Sequence, residues 1–308
     1  MSPARRTVGL ADLPGSVLLR VTGRDRVSFL HRLLTCDVAG LRTGGATRGL
    51  LLTPKGRVVA LFDLAVLEDR IEMAAPPAAR PALRDGLAKF VISDDVVLED
   101  RAGKDGLLSL VGPRAAAAAA RLASVPATIL GGRSRAGLPA VDLLARAEDM
   151  AALREAAAAA VRSEGGALLG TGDLEVLRVE NGVPALGAEA TLETLPQECG
   201  LEDAVSFTKG CFLGQEPVAR LRTQGHTNRG LAGLLLDAGA PVPRPGAAVL
   251  AGGKEAGAVT SAVLSPALGR PVALAILRNE HAAAGTALLL RTPEGPLPCT
   301  VASRPFVS

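Results

Sequence analysis

Residues 206–225 read SFTKGCFLGQEPVARLRTQG and set one cysteine, Cys211, between Gly210 and Gly214. Lys209 stands two residues before it, and Gln215, Glu216 and Pro217 follow. A cation beside a cysteine, with a helix opening near Pro217, is the setting in which a thiol becomes a nucleophile or a metal ligand. The glycines permit positive φ and close approach of a second molecule. The plainer alternative is a tight turn whose cysteine fills a small cavity. Cys36, Cys199 and Cys299 show no C-x-x-C spacing and read as reduced, buried hydrophobes. His31, His226 and His281 are far apart, so no metal site is assigned.

Two carboxylates are the other candidates. Past Arg57, Asp63 is the one charged residue of RVVALFDLAVL (57–67), a run apolar enough to predict a strand buried on both faces. A carboxylate there is costly unless paired, so Asp63 either closes a salt bridge or faces a pocket. The stretch LRVENGVPALGAEATLETLPQECGLEDAVSFTKGC (177–211) holds many acidic residues, most of them expected at the surface. Glu180, near a helix end and one turn from Leu177, is the one expected to point inward. A buried carboxylate suits a heterocycle with an N–H/NH₂ edge, because it accepts two parallel hydrogen bonds.

Two glycine-bearing stretches carry less. LLGTGDLE (168–175) lacks the third glycine of a dinucleotide fingerprint and reads as a loop opening a helix. TPKGR (53–57) lacks phosphate-loop spacing, and Lys55-Gly56 makes a hairpin turn.

The elements that must hold these residues follow from periodicity. Val27, Leu30 and Leu34 keep a helical period after Thr22 and Asp25; Leu83, Leu87, Phe90 and Val91 form another helical stripe. Strands are expected at 96–100 and 140–145, and a strand, a turn and a helix opening at Pro113 over LLSLVGPRAAAAAARLA. Further helices are expected over roughly 148–163 and from Thr171 to a left-handed cap at Gly182. Local strand pairs among helices indicate α+β. DAGAPVPRPG (237–246) reads as a linker, dividing 1–237, two intertwined α+β subdomains, from a small β-barrel domain over 238–308. Short apolar runs at 247–251, 256–264, 271–277, 286–291 and 298–303 supply that barrel.

Composition narrows the function classes. The chain has 308 residues, 48% hydrophobic, and a net charge of +3 without basic clusters, which argues against a phosphate-tracking surface. Tyr and Trp are absent and only six Phe occur, so a base-stacking platform is not expected and direct nucleic-acid binding is disfavoured. No long apolar run or basic-then-apolar start suggests a membrane span or leader, and cytoplasmic residence is the expectation.

Taken together, these residues resemble the YgfZ family of folate-binding proteins, a branch of the superfamily of the glycine-cleavage T-protein, an aminomethyltransferase. The family hallmark Lys-Gly-Cys-(Tyr/Phe)-x-Gly-Gln-Glu is met in full by KGCFLGQE: Lys209, Gly210, Cys211, Phe212, Gly214, Gln215 and Glu216. LRVENGVPALGAE…TLPQECGLE, GRVVALFDLAVL and GAVTSAVLSPALGRPVALAIL resemble further superfamily elements, so the likeness spans most of residues 10–308. It implies mixed sheets with helices around a central folate pocket, then a C-terminal barrel. It implies tetrahydrofolate or a derivative as cofactor, with Glu180 on the pterin ring, Asp63 in the pocket and Cys211 near its mouth. Phe62 replaces the first of two adjacent aspartates of the T-protein pattern, which points away from aminomethyl transfer. The implied function is a folate-binding accessory protein for assembly or repair of iron–sulfur enzymes, indirectly of tRNA modification, with those enzymes or assembly proteins as transient partners. In that role Cys211 would act as a reactive thiol or transient ligand. The alternative is a folate-dependent aminomethyl- or methyltransferase.

Overall fold

The structure, a computed structural model, describes residues 2–307. After β1 (Gly9–Asp12) the chain crosses to a second sheet and builds it without interruption. That sheet comprises β2 (Val17–Thr22), β3 (Ala46–Leu52), β4 (Val58–Val66), β5 (Ile71–Ala75) and β6 (Val97–Asp100), with α1 (Arg26–Leu33) and α2 (Arg80–Ala88) between strands. The chain then returns to the first sheet with β7 (Asp105–Val111), α3 (Ala115–Ala120), β8 (Thr128–Arg135), β9 (Leu138–Arg146), α4 (Met150–Ser163) and β10 (Ala167–Leu169). The strand orders are β10-β1-β7-β9-β8 and β3-β4-β5-β2-β6. Among the described strands only β1 and β10 pair in parallel.

Strand alternation assigns each face. In the second sheet Leu19, Val21, Ala60, Phe62, Leu64 and Met73 pack with Phe29, Leu30, Leu83 and Leu87 of α1 and α2. In the first, Leu108, Leu110, Val141 and Leu143 pack against α3 and α4. The opposite faces turn toward each other, where Leu18 and Ala74 meet Leu107 and Leu144. Covered on both sides, β4 is apolar at every position but Asp63.

Three helix edges differ from expectation. Helix α2 stops at Ala88, so Phe90 and Val91 reach the same core from the segment after it. Helix α3 starts at Ala115, after Pro113. The helix beyond Cys211 starts at Gln215, two residues before Pro217.

Helix α5 (Thr171–Glu180) ends before the left-handed Gly182, and a long irregular segment runs to α6 (Gln215–Gln224). The barrel follows: β11 (Arg229–Leu236), β12 (Ala248–Ala251), β13 (Lys254–Ser265), β14 (Arg270–Arg278), β15 (Ala287–Thr292) and β16 (Gly295–Ala302). These six strands close in the order β11-β14-β13-β12-β15-β16. The architecture is α+β with a C-terminal barrel. Because β11 is a barrel strand, the Pro/Gly-rich segment at 237–246 is a loop between β11 and β12, not a linker ahead of the barrel. Its proline and glycine content fits a strand-to-strand loop as well as it fits a linker, which is why composition misplaced it. No helix of the described residues is long and apolar enough to cross a membrane.

Candidate functional site

Between the two sheets, and closed by α5 and residues 183–186, lies a cavity of about 350 Å³. Leu13, Pro77, Leu174 and Leu186 give it apolar walls, and Arg48, Asp63 and Arg135 give it a polar side. The hairpin β3–β4 turns at Thr53–Arg57, where the Gly56 amide donates to the Thr53 carbonyl at 2.8 Å. Lys55-Gly56 is thus the expected turn. Its register places Arg48 directly opposite Asp63.

Asp63 both faces the cavity and closes a salt bridge, so the two readings left open by its sequence hold together. Arg48 Nε donates to Asp63 Oδ1 at 3.1 Å and Arg48 Nη2 to the Ser134 carbonyl at 2.6 Å. Arg135 Nη2 lies 3.9 Å from Asp63 Oδ2 and donates to Asp142 Oδ2 at 2.9 Å. Asp142 is fully buried and also accepts from the Ser109 hydroxyl at 2.6 Å. Burial alone would lower the Arg135 guanidinium, but Asp142 and Asp63 hold it above its ordinary value. Phe62 borders the cavity, yet its ring sits in the core with Ala60 and Leu64, on the other face of β4. Replacing an aspartate there removes no carboxylate from the face that Asp63 occupies.

Glu180 is placed differently from Asp63. It does not line the cavity, and its carboxylate is taken up by protein groups. Oε2 accepts from Arg5 Nη2 at 2.8 Å; Oε1 accepts from the Ser265 hydroxyl at 2.6 Å. Glu189 repeats the pattern: it accepts from Arg178 Nη1 at 3.0 Å and from the Ser261 hydroxyl at 2.6 Å. Ser261 and Ser265 belong to β13, so the two glutamates fasten α5 and its following loop to the barrel. The expectation of an inward-pointing Glu180 was met by an arginine and a serine far away in sequence, which local pattern does not reveal.

The KGCFLGQE segment is built around its neighbours rather than around the thiol. Lys209 Nζ donates to the carbonyls of His31, Leu34 (2.6 Å) and Cys36 (3.1 Å), at the C-terminal end of α1. A cation suits the negative end of that helix, and burial lowers Lys209 below the usual lysine value. Lys209 thus anchors the loop that carries Cys211 to α1. Phe212 is buried beside Leu50, Leu52 and Val218; Gln215 is half-buried and Glu216 exposed in the first turn of α6. Cys211 and Gly210 are exposed, and Cys211 is not among the residues lining the cavity. Burial pushes the thiols of Cys36 and Cys199 up to about 12 and that of Cys299 to about 11, which suits inert core residues.

Gly214 caps α6 at φ +79°, and a Cβ there would lie 2.3 Å from the Thr53 carbonyl oxygen. Gly214→Ala is expected to destabilise by at least about 1 kcal/mol, read as a lowered urea midpoint. Gly210→Ala, where nothing lies within 4 Å of the new carbon, should leave the midpoint almost unchanged.

Arg48, Arg135 and Asp142 were not singled out by sequence. Arg48 was within reach, since a buried strand aspartate calls for a cation and counting outward from the Lys55-Gly56 turn selects it. Arg135 and Asp142 come from the other sheet, and no local pattern joins them to Asp63.

Comparison with known proteins agrees with this architecture. The family model of the glycine cleavage T-protein C-terminal barrel domain matches residues 229–308. An aminomethyltransferase of Geobacillus kaustophilus is 30% identical over 302 residues, 91% of this chain and 82% of the relative. That of Saccharopolyspora erythraea is 30% identical, covering 98% and 87%. The crystal structure of glycine cleavage system aminomethyltransferase T from Bartonella henselae superposes with a TM-score of 0.85 at 24% identity, over 99% of this chain and 88% of that one. The likeness in sequence along nearly the whole chain, together with the two facing sheets and the closed barrel, means that the chain belongs to the aminomethyltransferase family of the glycine cleavage T-protein.

Proposed function

We propose that the protein binds a reduced folate, tetrahydrofolate or a derivative, in the cavity between the sheets and transfers a one-carbon unit as a cytoplasmic aminomethyl- or methyltransferase. The observation that carries this reading is the Asp63 carboxylate, presented to an otherwise largely apolar cavity by a chain of this family. The cavity falls within the ~300–1,000 Å³ of small-molecule sites. Its apolar walls suit the faces of a pterin and a benzoyl ring. Arg48, Asp63 and Arg135 offer donors and acceptors for ring edges. Tetrahydrofolate would supply the nitrogen that takes up the one-carbon unit. Asp63 would stabilise positive charge developing at the transferred carbon, while the walls keep out water. Arg48 and Arg135 would hold its carboxylate in one orientation.

A second reading keeps the folate and gives up the turnover: an accessory protein of the YgfZ type, supporting iron–sulfur enzymes through transient contact with them or their assembly proteins. The complete KGCFLGQE match and the exposure of Cys211 favour it. Titration with tetrahydrofolate, then incubation with a methylamine donor, separates the two. The first reading predicts saturable binding and formation of methylene-tetrahydrofolate. Binding without product, with Cys211→Ser unable to restore iron–sulfur enzyme activity in a deletion strain, supports the second. Absence of saturable binding at high micromolar ligand overturns both.

A further inference from the structure

The two sheets enclose a second cleft, of about 430 Å³, on the far side of the Leu18, Ala74, Leu107 and Leu144 layer. Four arginines line it: Arg20 of β2, Arg70 ahead of β5, Arg101 after β6 and Arg146 at the end of β9. Alternation brings Arg20, Glu72, Asp105 and Arg146 to the inter-sheet space, each two residues along its strand from a member of that apolar layer.

Glu72 and Asp105 are buried here, with side chains 4% and 2% exposed. Glu72 Oε1 accepts from Arg20 Nε at 2.8 Å and from Arg70 Nε at 2.7 Å. Asp105 accepts from Arg101 Nε at 2.9 Å and Nη2 at 2.8 Å, and from Arg20 Nη2 at 3.5 Å across the two sheets. Three guanidinium groups therefore share two buried carboxylates. The other acidic partners lie nearer solvent: Asp69, 72% exposed, on Arg70; Glu99 on Arg101; and Glu148, 3.4 Å from an Arg146 that is itself 73% exposed. Exposed pairs of that kind hold weakly and exchange readily. Arg20 Nη1 and Arg70 Nη2 donate no protein hydrogen bond among the described residues.

We propose that this cleft binds a small multivalent oxyanion. Arg20 and Arg101, fixed by the buried carboxylates, form its floor, and Arg70 and Arg146 close over the anion by exchanging their rim partners for it. Guanidinium forks pair with phosphate and carboxylate in the same bidentate way, so the shared chemistry is a cluster of anionic oxygens. The site is separate from the cavity that holds Asp63 and stands whether or not that cavity takes folate.

The test is calorimetric titration of the full chain at low ionic strength with inorganic pyrophosphate and, separately, with citrate. Saturable binding, weakened about tenfold or more in the Arg70→Gln/Arg146→Gln double variant, is expected, because each lost guanidinium removes charge-assisted hydrogen bonds. Glu72 keeps Arg20 in that variant, and its unfolding midpoint checks that it is folded. Should it not fold, Arg146→Gln alone decides, since that side chain is exposed; its affinity must still fall measurably. Arg84→Gln, outside the cleft, must leave affinity unchanged. Binding of pyrophosphate alone identifies a phosphate-bearing ligand, and binding of citrate alone a polycarboxylate. No saturable binding of either, or equal affinity in the cleft variants and the parent, overturns the proposal.

Discussion

An Asp63→Asn variant is expected to fold and to lose about a hundredfold or more of one-carbon transfer, the scale seen when one preorganised electrostatic group is removed. The amide keeps the shape of the carboxylate and can still accept from Arg48. Arg48 retains the Ser134 carbonyl and Arg135 retains Asp142, so neither guanidinium is stranded. What is lost is the negative charge on the cavity wall. Affinity for tetrahydrofolate should therefore change much less than turnover, and measuring both separates a chemical role from a binding role. Turnover equal to the parent would remove Asp63 from the chemistry and leave it as the counter-ion of a hairpin.

Glu180→Ala is expected to cost about 3–5 kcal/mol of stability, as a lowered urea midpoint, because it breaks a buried ion pair from one side. Arg5, whose side chain is 8% exposed, would be left beside an empty space, and the Ser265 hydroxyl would lose its acceptor. Glu180→Gln should fall between the two proteins, retaining a carbonyl oxygen for Ser265 but not the charge for Arg5. The informative measurement is tetrahydrofolate binding by folded Glu180→Gln. The contacts of Glu180 predict near-parental affinity once stability is matched. A selective loss of binding with stability intact would instead return Glu180 to the pterin role that resemblance implied.

The fold was readable wherever a segment carries its own periodicity. The apolar β4, the alanine-rich α4 and the short apolar runs of the barrel all lie near their expected places. The strands that escaped notice, β1, β2, β3, β5, β8, β10 and β11, are short or interrupted by arginine and glycine, and owe their conformation to partners rather than to local pattern. The site divides along the same line. Asp63 could be found because a charge in a buried strand is conspicuous. Its partners Arg48 and Arg135, and the saturation of Glu180 by Arg5 and Ser265, depend on register and on contacts between distant segments. The hallmark segment shows a further limit: its pattern marked Cys211, while its lysine, phenylalanine and second glycine turn out to secure the loop to α1, the core and the hairpin.

Strand β1 belongs to one sheet although the next five strands belong to the other, and this orders events during synthesis. Domains tend to form as the chain emerges, N-terminal parts first. Here a nascent chain reaching Asp100 already holds every strand of the second sheet, while β1 has neither of its neighbours, β7 or β10. Strand β1 gains its antiparallel neighbour β7 only when residue 111 has left the ribosome and its parallel neighbour β10 only at residue 169, and Arg5 must wait longer still for Glu180 and the barrel serine beyond it. The segment ahead of β2 is thus a strap that closes onto its own sheet only after the second sheet is complete in sequence.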